Sequence, residues 1–205
     1  MRPTTLVCAA ALAALVLPAA AAAQPQQPFT YEDLLNVNRL SDPQVSPDGD
    51  QVVYALRTTP LDGGSSSLYV LDLDGEADPR RLAISDGGAN TARWSADGQL
   101  FFLSSRSGSS QVWRTDEAGE VAVQVTDLPV DVQTYQLSPA GDRIAVAAAV
   151  FPDCPDLACT AARLDEEPDN SATLYSQLFV RHWDQWSDGT RNHVFVLDLS
   201  GQGVA

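Results

Sequence analysis

A strand-turn-strand motif that occurs three times is the feature that most restricts how this chain folds. Each copy has a serine, a turn rich in aspartate, glycine and proline, and then an apolar run; the copies lie at residues 43–54, 92–102 and 135–146. The serines are Ser46, Ser95 and Ser138, which gives a repeat of roughly 40 to 50 residues, the length of one four-stranded propeller blade. The repeat therefore predicts an all-β chain that forms a partial β-propeller of about three blades.

The residues of each copy explain its predicted shape. Proline pre-sets φ for a turn, aspartate bonds to nearby backbone, and glycine accepts a positive φ, so each turn joins two strands. The runs 52–56, 100–103 and 144–150 are apolar and suited to buried strands. Third strands are predicted at 68–75, 111–116 and 193–201, and outer strands of the first two blades at 79–83 and 121–126.

The third blade has no predicted outer strand, because only residues 202–205 follow its third strand. Propellers close with typically four to eight blades, so we expect residues 42–205 to be an incomplete propeller domain and the chain to be a fragment. A complete three-blade solenoid is the alternative, but no capping helix or polar terminal repeat supports it.

The N-terminus has the pattern of a secretory signal peptide. Arg2 precedes an apolar core at 6–17, and the small residues 21–23 predict cleavage near Ala23 and export to the periplasm or the medium, with no membrane segment left afterwards. The alternative, an uncleaved anchor, requires a longer core than this one, which Pro18 interrupts.

Residues 24–41 are predicted to be a linker and a short helix. The helix is placed at 29–40, with Thr30 as its N-cap and Asp33 completing a capping box. Leu34 and Leu35 are expected to dock it on the first blade.

An insertion at about 151–192 separates the second and third strands of the third blade. It contains Cys154 and Cys159, the only cysteines left after signal cleavage, and in an exported chain they predict a disulfide. A zinc site would need two more ligands, and His182 and His193 lie on a different segment, so no metal is predicted.

Charge excludes one class of partner. The formal net charge is -15 and the chain contains no lysine, so it lacks the basic surface that nucleic-acid binding needs. The sequence also contains no Gly-x-Ser-x-Gly motif and no glycine-rich phosphate loop. No cofactor and no catalytic residue are predicted within it.

The opening helix, the repeated Ser-Pro-Asp-Gly turns and the insertion that runs through Arg181-His182-Trp183-Asp184 together resemble exported peptidases of the prolyl oligopeptidase family, in its dipeptidyl aminopeptidase and acylaminoacyl-peptidase branch. The resemblance covers the chain from about Phe29 onward. It implies an N-terminal propeller that gates access to a C-terminal α/β-hydrolase domain, whose Ser-Asp-His triad cuts short peptides. This sequence has no counterpart of the triad.

The resemblance also suggests substrate-binding candidates. Dipeptidyl peptidases bind the free α-amino group with paired glutamates, for which Glu166 and Glu167 are the match, although the surrounding aromatic motif is missing. Arg181 and Trp183 of the insertion are further candidates. Solvated acidic loop residues are the alternative for the glutamates. The alternative for the whole chain is a non-enzymatic TolB-like propeller that binds envelope proteins, and the sequence gives neither the peptide specificity nor the oligomeric state.

Overall fold

The computed structural model describes residues 28–58, 65–75, 77–116, 118–166, 175, 178 and 180–199. The predicted signal peptide lies outside the described residues, as do residues 24–27 of the linker. The domain boundaries given above therefore stay predictions.

Most of the described chain forms antiparallel strands. In chain order the elements are α1 (Tyr31–Asn36), β1 (Arg39–Val45), β2 (Gln51–Arg57), β3 (Ser66–Asp72), β4 (Arg80–Arg81), a 3₁₀ helix (Ala83–Gly87), β5 (Asn90–Trp94), β6 (Leu100–Ser104), β7 (Gln111–Thr115), β8 (Ala122–Gln124), β9 (Val132–Leu137), β10 (Arg143–Val150), α2 (Leu157–Asp165), β11 (Arg181–His182), β12 (Gln185–Trp186) and β13 (Arg191–Asp198).

These strands form three successive sheets that correspond to the three predicted repeats. Sheet 1 has the order β1-β2-β3-β4, sheet 2 has β5-β6-β7-β8, and sheet 3 has β9-β10-β13 among the described residues. Every pairing is antiparallel, and β11 pairs with β12 in a separate hairpin. The repeat and its strand order are thus confirmed.

The serine of each repeat fixes the turn between the first two strands of its sheet. The Ser46 hydroxyl oxygen accepts a hydrogen bond from the Gln51 backbone N–H at 2.9 Å, and Ser95 does the same for Gln99. In sheet 3, Ser138 accepts from Arg143 at 3.1 Å. The glycine of each turn has a positive φ, which the lack of a Cβ permits at little cost; these glycines are Gly49, Gly98 and Gly141.

Two apolar clusters hold neighbouring sheets together. The first joins sheets 1 and 2 and includes Val53, Leu68, Leu100, Phe102 and Trp113, of which Val53, Leu68 and Phe102 are fully buried. The second joins sheets 2 and 3 and includes Phe101, Leu103, Val112, Ile144 and Val146. Because β6 contributes alternate residues to the two clusters, sheet 2 is covered on both faces.

Polar contacts join the first strands of the three sheets. The Arg93 guanidinium of β5 lies 2.7 Å from the Asp42 carboxylate of β1, and the Tyr135 hydroxyl of β9 donates to the Thr91 carbonyl oxygen at 2.9 Å. Asp42 and Thr91 have positive φ values of 52° and 51°, and each lies where the pairing register of its strand shifts. A β-bulge at the same place in β1 and β5 therefore directs these contacts between sheets.

Three local expectations need correction. The first helix ends at Asn36 rather than Leu40, because Arg39 and Leu40 pair with β2 in the sheet. Its capping box at Thr30 is confirmed, but of the two leucines expected to dock, Leu34 is 56% exposed and Leu35 is half-buried. The outer strand predicted at 79–83 is only two residues long, since the chain turns into the 3₁₀ helix and buries Ile84 and Ser85.

The insertion contains a helix, α2, that the all-β prediction did not include. Asp156 caps it, accepting a hydrogen bond from the Cys159 backbone N–H at 2.8 Å. Neither this helix nor α1, the two α-helices of the described residues, is long and apolar enough to cross a membrane.

Candidate functional site

The insertion leaves sheet 3 at the end of β10 that lies away from the serine turn. In sheet 2 the corresponding connection, between β6 and β7, is short and spans residues 105–110. In sheet 3 the connection spans residues 151–190 and contains α2 and the β11–β12 hairpin. Because it departs most from the repeat, it is the part of the described chain most suited to a specific function.

A disulfide and several polar contacts fix α2 to the end of β10. Cys154 and Cys159 are joined with an S–S distance of 2.07 Å, as the sequence predicted. Thr160 is fully buried, and its hydroxyl accepts from the Phe151 backbone N–H at 3.4 Å. The Arg163 guanidinium lies over the Phe151 ring at 4.2 Å and binds both carboxylate oxygens of Asp153, at 2.8 and 2.9 Å.

These contacts give the start of the insertion a fixed geometry. The Asp153 carboxylate accepts hydrogen bonds from its own backbone N–H and from the Arg163 guanidinium. Both hold the pKa of Asp153 below its ordinary value, so the Asp153–Arg163 ion pair is formed at neutral pH. A disulfide that closes so short a loop orders that loop rather than the whole domain.

The first of the paired glutamates lies at the C-terminal end of α2. Glu166 is the C-cap residue of the helix and is exposed, while Glu167 lies outside the described residues. No hydrogen bond or ion pair of the described residues joins Glu166 to the hairpin. The structure therefore places Glu166 on the surface, and the role of the two glutamates stays a prediction.

The β11–β12 hairpin displays aromatic and cationic side chains to solvent. Trp183 lies in its turn with a φ of 55° and is 86% exposed, and Trp186 is 63% exposed. The Arg181 guanidinium lies 5.5 Å from the centre of the Trp186 ring. The Tyr175 ring also stacks on Trp186, with 6.0 Å between the two ring centroids. The structure thus brings the candidates Arg181 and Trp183 together on one hairpin.

This arrangement suits binding rather than bond cleavage. An exposed indole offers an apolar face to a peptide side chain, and a guanidinium offers donors to a carbonyl or carboxylate group. The hairpin turn in which Trp183 lies also has backbone in the left-handed region, which is uncommon for a bulky residue. Non-glycine residues in such a conformation cluster at active sites, ligand clamps and switch regions.

A second concave surface lies between sheets 1 and 2, at the end that carries the serine turns. It is a cleft of about 750 Å³ whose acidic lining residues are Asp48, Asp50, Asp97 and Asp116, and Arg80 also lines it. The pKa of Asp48 is lowered chiefly by a hydrogen bond from the Ser46 hydroxyl, that of Asp97 by one from Ser95, and that of Asp116 by backbone N–H groups, first that of Val121.

Three of the four carboxylates of this cleft have structural partners. The Asp48 and Asp97 side chains each accept from the serine of their own turn at 2.5 Å, and Asp116 accepts from the Glu120 backbone N–H at 2.8 Å. Within the described residues, no group of three or more histidine, cysteine or acidic side chains is placed to hold a metal ion. Asp48, Asp97 and Asp116 therefore act as turn formers.

Sequence reasoning missed the residues that position the insertion. Arg163, Asp153 and Thr160 were not singled out, although they connect α2 to Phe151 and to the disulfide loop. A signal for the helix was present in Asp156, an N-capping residue followed by the alanine-rich segment 157–163.

The three antiparallel sheets, with their repeated turns and buried contacts between neighbours, define the chain as part of a β-propeller. No family model matches the sequence. It is 28% identical to dipeptidyl-peptidase 5 of Porphyromonas endodontalis over 86% of this chain and 25% of that protein. Among solved structures, an acylaminoacyl peptidase shares the fold with a TM-score of 0.59 at 15% identity, over 85% of this chain and 25% of that one.

The AtxE2 isopeptidase also shares the fold, with a TM-score of 0.55 at 20% identity over 84% of this chain and 31% of that one. Over most of its length the chain is therefore similar to the N-terminal propeller part of peptidases of the prolyl oligopeptidase family. It spans about a quarter of the length of the curated dipeptidyl peptidases that it matches.

Proposed function

We propose that this chain is the N-terminal, substrate-gating propeller part of an exported serine-type peptidase that cleaves short peptides. The observation that carries the proposal is the alignment of most of the chain with a quarter of a dipeptidyl-peptidase 5. The remaining three quarters of such a protein leave room for a separate catalytic domain, which would supply the nucleophile. The three described sheets then provide the rigid support for the insertion.

The insertion is the proposed substrate-contacting element. Its hairpin presents Arg181 and Trp183, and its helix is followed by the C-cap residue Glu166, next to Glu167 in the sequence. A glutamate side chain suits the α-amino group of a peptide, since its oxygens accept hydrogen bonds and an amino group donates them. The indole of Trp183 suits an apolar peptide side chain.

Two features support export. The signal-peptide pattern at 1–23 is one of them. The other is the Cys154–Cys159 disulfide, since disulfides persist in the periplasm and outside the cell and are rare in the reducing cytosol.

Activity of the product of the native gene tests the proposed function. The protein is purified from its source and assayed with dipeptidyl 4-nitroanilides, with and without a fluorophosphonate that modifies nucleophilic serines. We expect hydrolysis that the fluorophosphonate abolishes. A product that neither hydrolyses these substrates nor reacts with the fluorophosphonate would contradict the peptidase function and favour a binding propeller.

Substitution of the hairpin tests its proposed role in the same protein. Arg181→Ala and Trp183→Ala should each raise KM about fivefold or more with little change in kcat, the effect of losing a binding contact of ~1 kcal/mol. Arg143→Ala is the control, because Arg143 is exposed at the opposite end of β10. If all three variants have the same KM, the hairpin does not contact the substrate.

A further inference from the structure

Phe151 is the first residue after β10, and helix α2 of the insertion packs on it. Its side chain is buried, with 6% exposure. The Arg163 guanidinium lies over its ring, 4.2 Å from the ring centroid, and the Thr160 hydroxyl accepts from its backbone N–H. Its carbonyl oxygen accepts from the Cys154 backbone N–H at 3.0 Å. The helix and the disulfide loop therefore both depend on Phe151 for their position.

The segment that follows the hairpin passes beside the edge of the same ring. A Cβ atom built on Gly189 would lie 3.6 Å from the Cε1 atom of Phe151, which is ordinary van der Waals contact. Two residues before Gly189, the Ser187 backbone N–H donates to the Val180 carbonyl oxygen at 2.9 Å and closes the base of the hairpin. The Phe151 ring thus contacts the insertion where it leaves sheet 3 and again where it returns.

Neither α2 nor the hairpin has an apolar core of its own. Thr160 is the one buried residue of α2, and every residue of β11 and β12 is exposed. Each element therefore depends on contacts outside itself for a fixed orientation. A buried aromatic ring that is locked by its neighbours and touched from both sides supplies such a contact, because functional groups hold their geometry only when the residues beneath them are packed.

We propose that Phe151 is a positioning residue that holds α2 and the hairpin in one arrangement, so that the C-terminal end of α2 and Trp183 contact the same peptide. Arg163 is its contact on the helix side, and Gly189 is its contact on the hairpin side. Phe151 acts through these two parts of the insertion and is itself buried away from the substrate. The proposal rests on the proposed function of the insertion, but the coupling of the two parts is measured without substrate.

Hydrogen exchange in the product of the native gene tests this coupling. Arg163→Ala removes the guanidinium from the ring and leaves the core intact, since the Arg163 side chain is 48% exposed. We expect exchange to become about threefold or more faster at residues 181–187 as well as in α2, because both parts open locally more often. Arg143→Ala is the matched control, since Arg143 is an exposed arginine beside Asp142 at the other end of β10. Faster exchange confined to α2 would overturn the proposal.

Kinetics with dipeptidyl 4-nitroanilides test the role of Phe151 in binding. Phe151→Leu removes the ring and keeps an apolar side chain. Phe102→Leu is the matched control, because Phe102 is also buried, has the Arg106 guanidinium 5.1 Å from its ring centroid and lies outside the insertion. Both variants lose core packing, but only Phe151→Leu should raise KM, by about fivefold with little change in kcat.

A double variant separates positioning from a general loss of stability. In the Trp183→Ala background, Phe151→Leu should raise KM by a smaller factor than in the parent, because the contact that it misplaces is already gone. Equal factors in the two backgrounds would overturn the positioning role, and so would an unchanged KM in Phe151→Leu. If Trp183→Ala raises KM in either case, the proposed contact of the hairpin with the substrate stands without Phe151. If Trp183→Ala also leaves KM unchanged, both proposals are wrong.

Discussion

Gln111 is the residue whose replacement tests the internal structure most sharply. It begins β7 and is fully buried. Its side-chain NH₂ donates to the Ser109 hydroxyl and to the carbonyl oxygens of Leu128 and Val130, at 3.0 to 3.2 Å. Its side-chain oxygen accepts from the Thr126 hydroxyl at 2.8 Å and from the Leu128 N–H at 3.1 Å. One amide therefore holds the connection between sheets 2 and 3.

Gln111→Met keeps the length of the side chain and removes every one of these hydrogen bonds. Thr126 and Val130 are buried, with 2% and 6% exposure, so their polar groups lose a partner without gaining water. A buried group left without a partner costs ~1–3 kcal/mol, which gives about 2–6 kcal/mol for the two groups together. We expect the free energy of unfolding to fall by about 3 kcal/mol.

The free energy of unfolding is measured by urea titration, with tryptophan fluorescence as the signal. Gln136→Met is the matched control, because Gln136 is exposed on β9, and its effect should stay within ~0.5 kcal/mol. A loss below ~1 kcal/mol in Gln111→Met, with an unchanged urea dependence, would refute the reasoning. It would mean that the connection finds other hydrogen-bond partners.

Three further predictions concern the disulfide and the titrating groups. Reduction of Cys154–Cys159 should cost ~2 kcal/mol or less and should speed hydrogen exchange in α2 without changing exchange in β6; uniform acceleration would contradict a local role. Burial raises the pKa of Tyr135 above the value of about 10 that a tyrosine has in the unfolded chain. The contribution of its neutral phenol to stability is therefore complete below about pH 10 and is lost as the pH rises further. The free energy of unfolding of Tyr135→Phe should fall less than that of the parent between about pH 9 and about pH 11. The hydrogen bond from Ser95 lowers the pKa of Asp97, so the contribution of this carboxylate to stability is present above about pH 4 and is lost as the pH falls through the lowered pKa. Asp97→Asn should therefore lose less stability than the parent on acidification, and equal losses would contradict this.

The repeat was predictable because its information is local. The serine, the acidic residue and the glycine of each turn determine a hairpin within a few residues, and the contacts of Ser46, Ser95 and Ser138 show that mechanism in each sheet. The capping box at Thr30 was predictable for the same reason, since Asp33 accepts from the Thr30 N–H at 2.8 Å.

Elements that depend on distant partners were predicted less well. The end of α1 was misplaced because Leu40 pairs with Leu56 of β2, and this pairing overrides the helical preference of the segment. The outer strand of sheet 1 was predicted too long because Leu82 and Ile84 are buried between sheets instead of continuing the strand. The role of Gln111 was also not visible, since its partners other than Ser109 lie 15 to 19 residues further along the chain.

The candidate site was predictable only in its location. The insertion was visible as a break in the repeat, and its aromatic residues suggested a surface of interest. The register of the hairpin leaves Trp183 almost fully exposed and packs the Arg181 side chain on Trp186. This register could not be read from the sequence pattern. The helix α2 was missed because its one buried residue, Thr160, leaves no apolar periodicity to recognise.

The DNA of the native gene beyond the codon for Ala205 tests the central claim most directly. The account predicts an open reading frame that continues through further blades into a domain with a Gly-x-Ser-x-Gly motif, followed by an aspartate and a histidine that complete a triad. A stop codon at that point, or further blades with no such domain, would contradict the assignment to a peptidase.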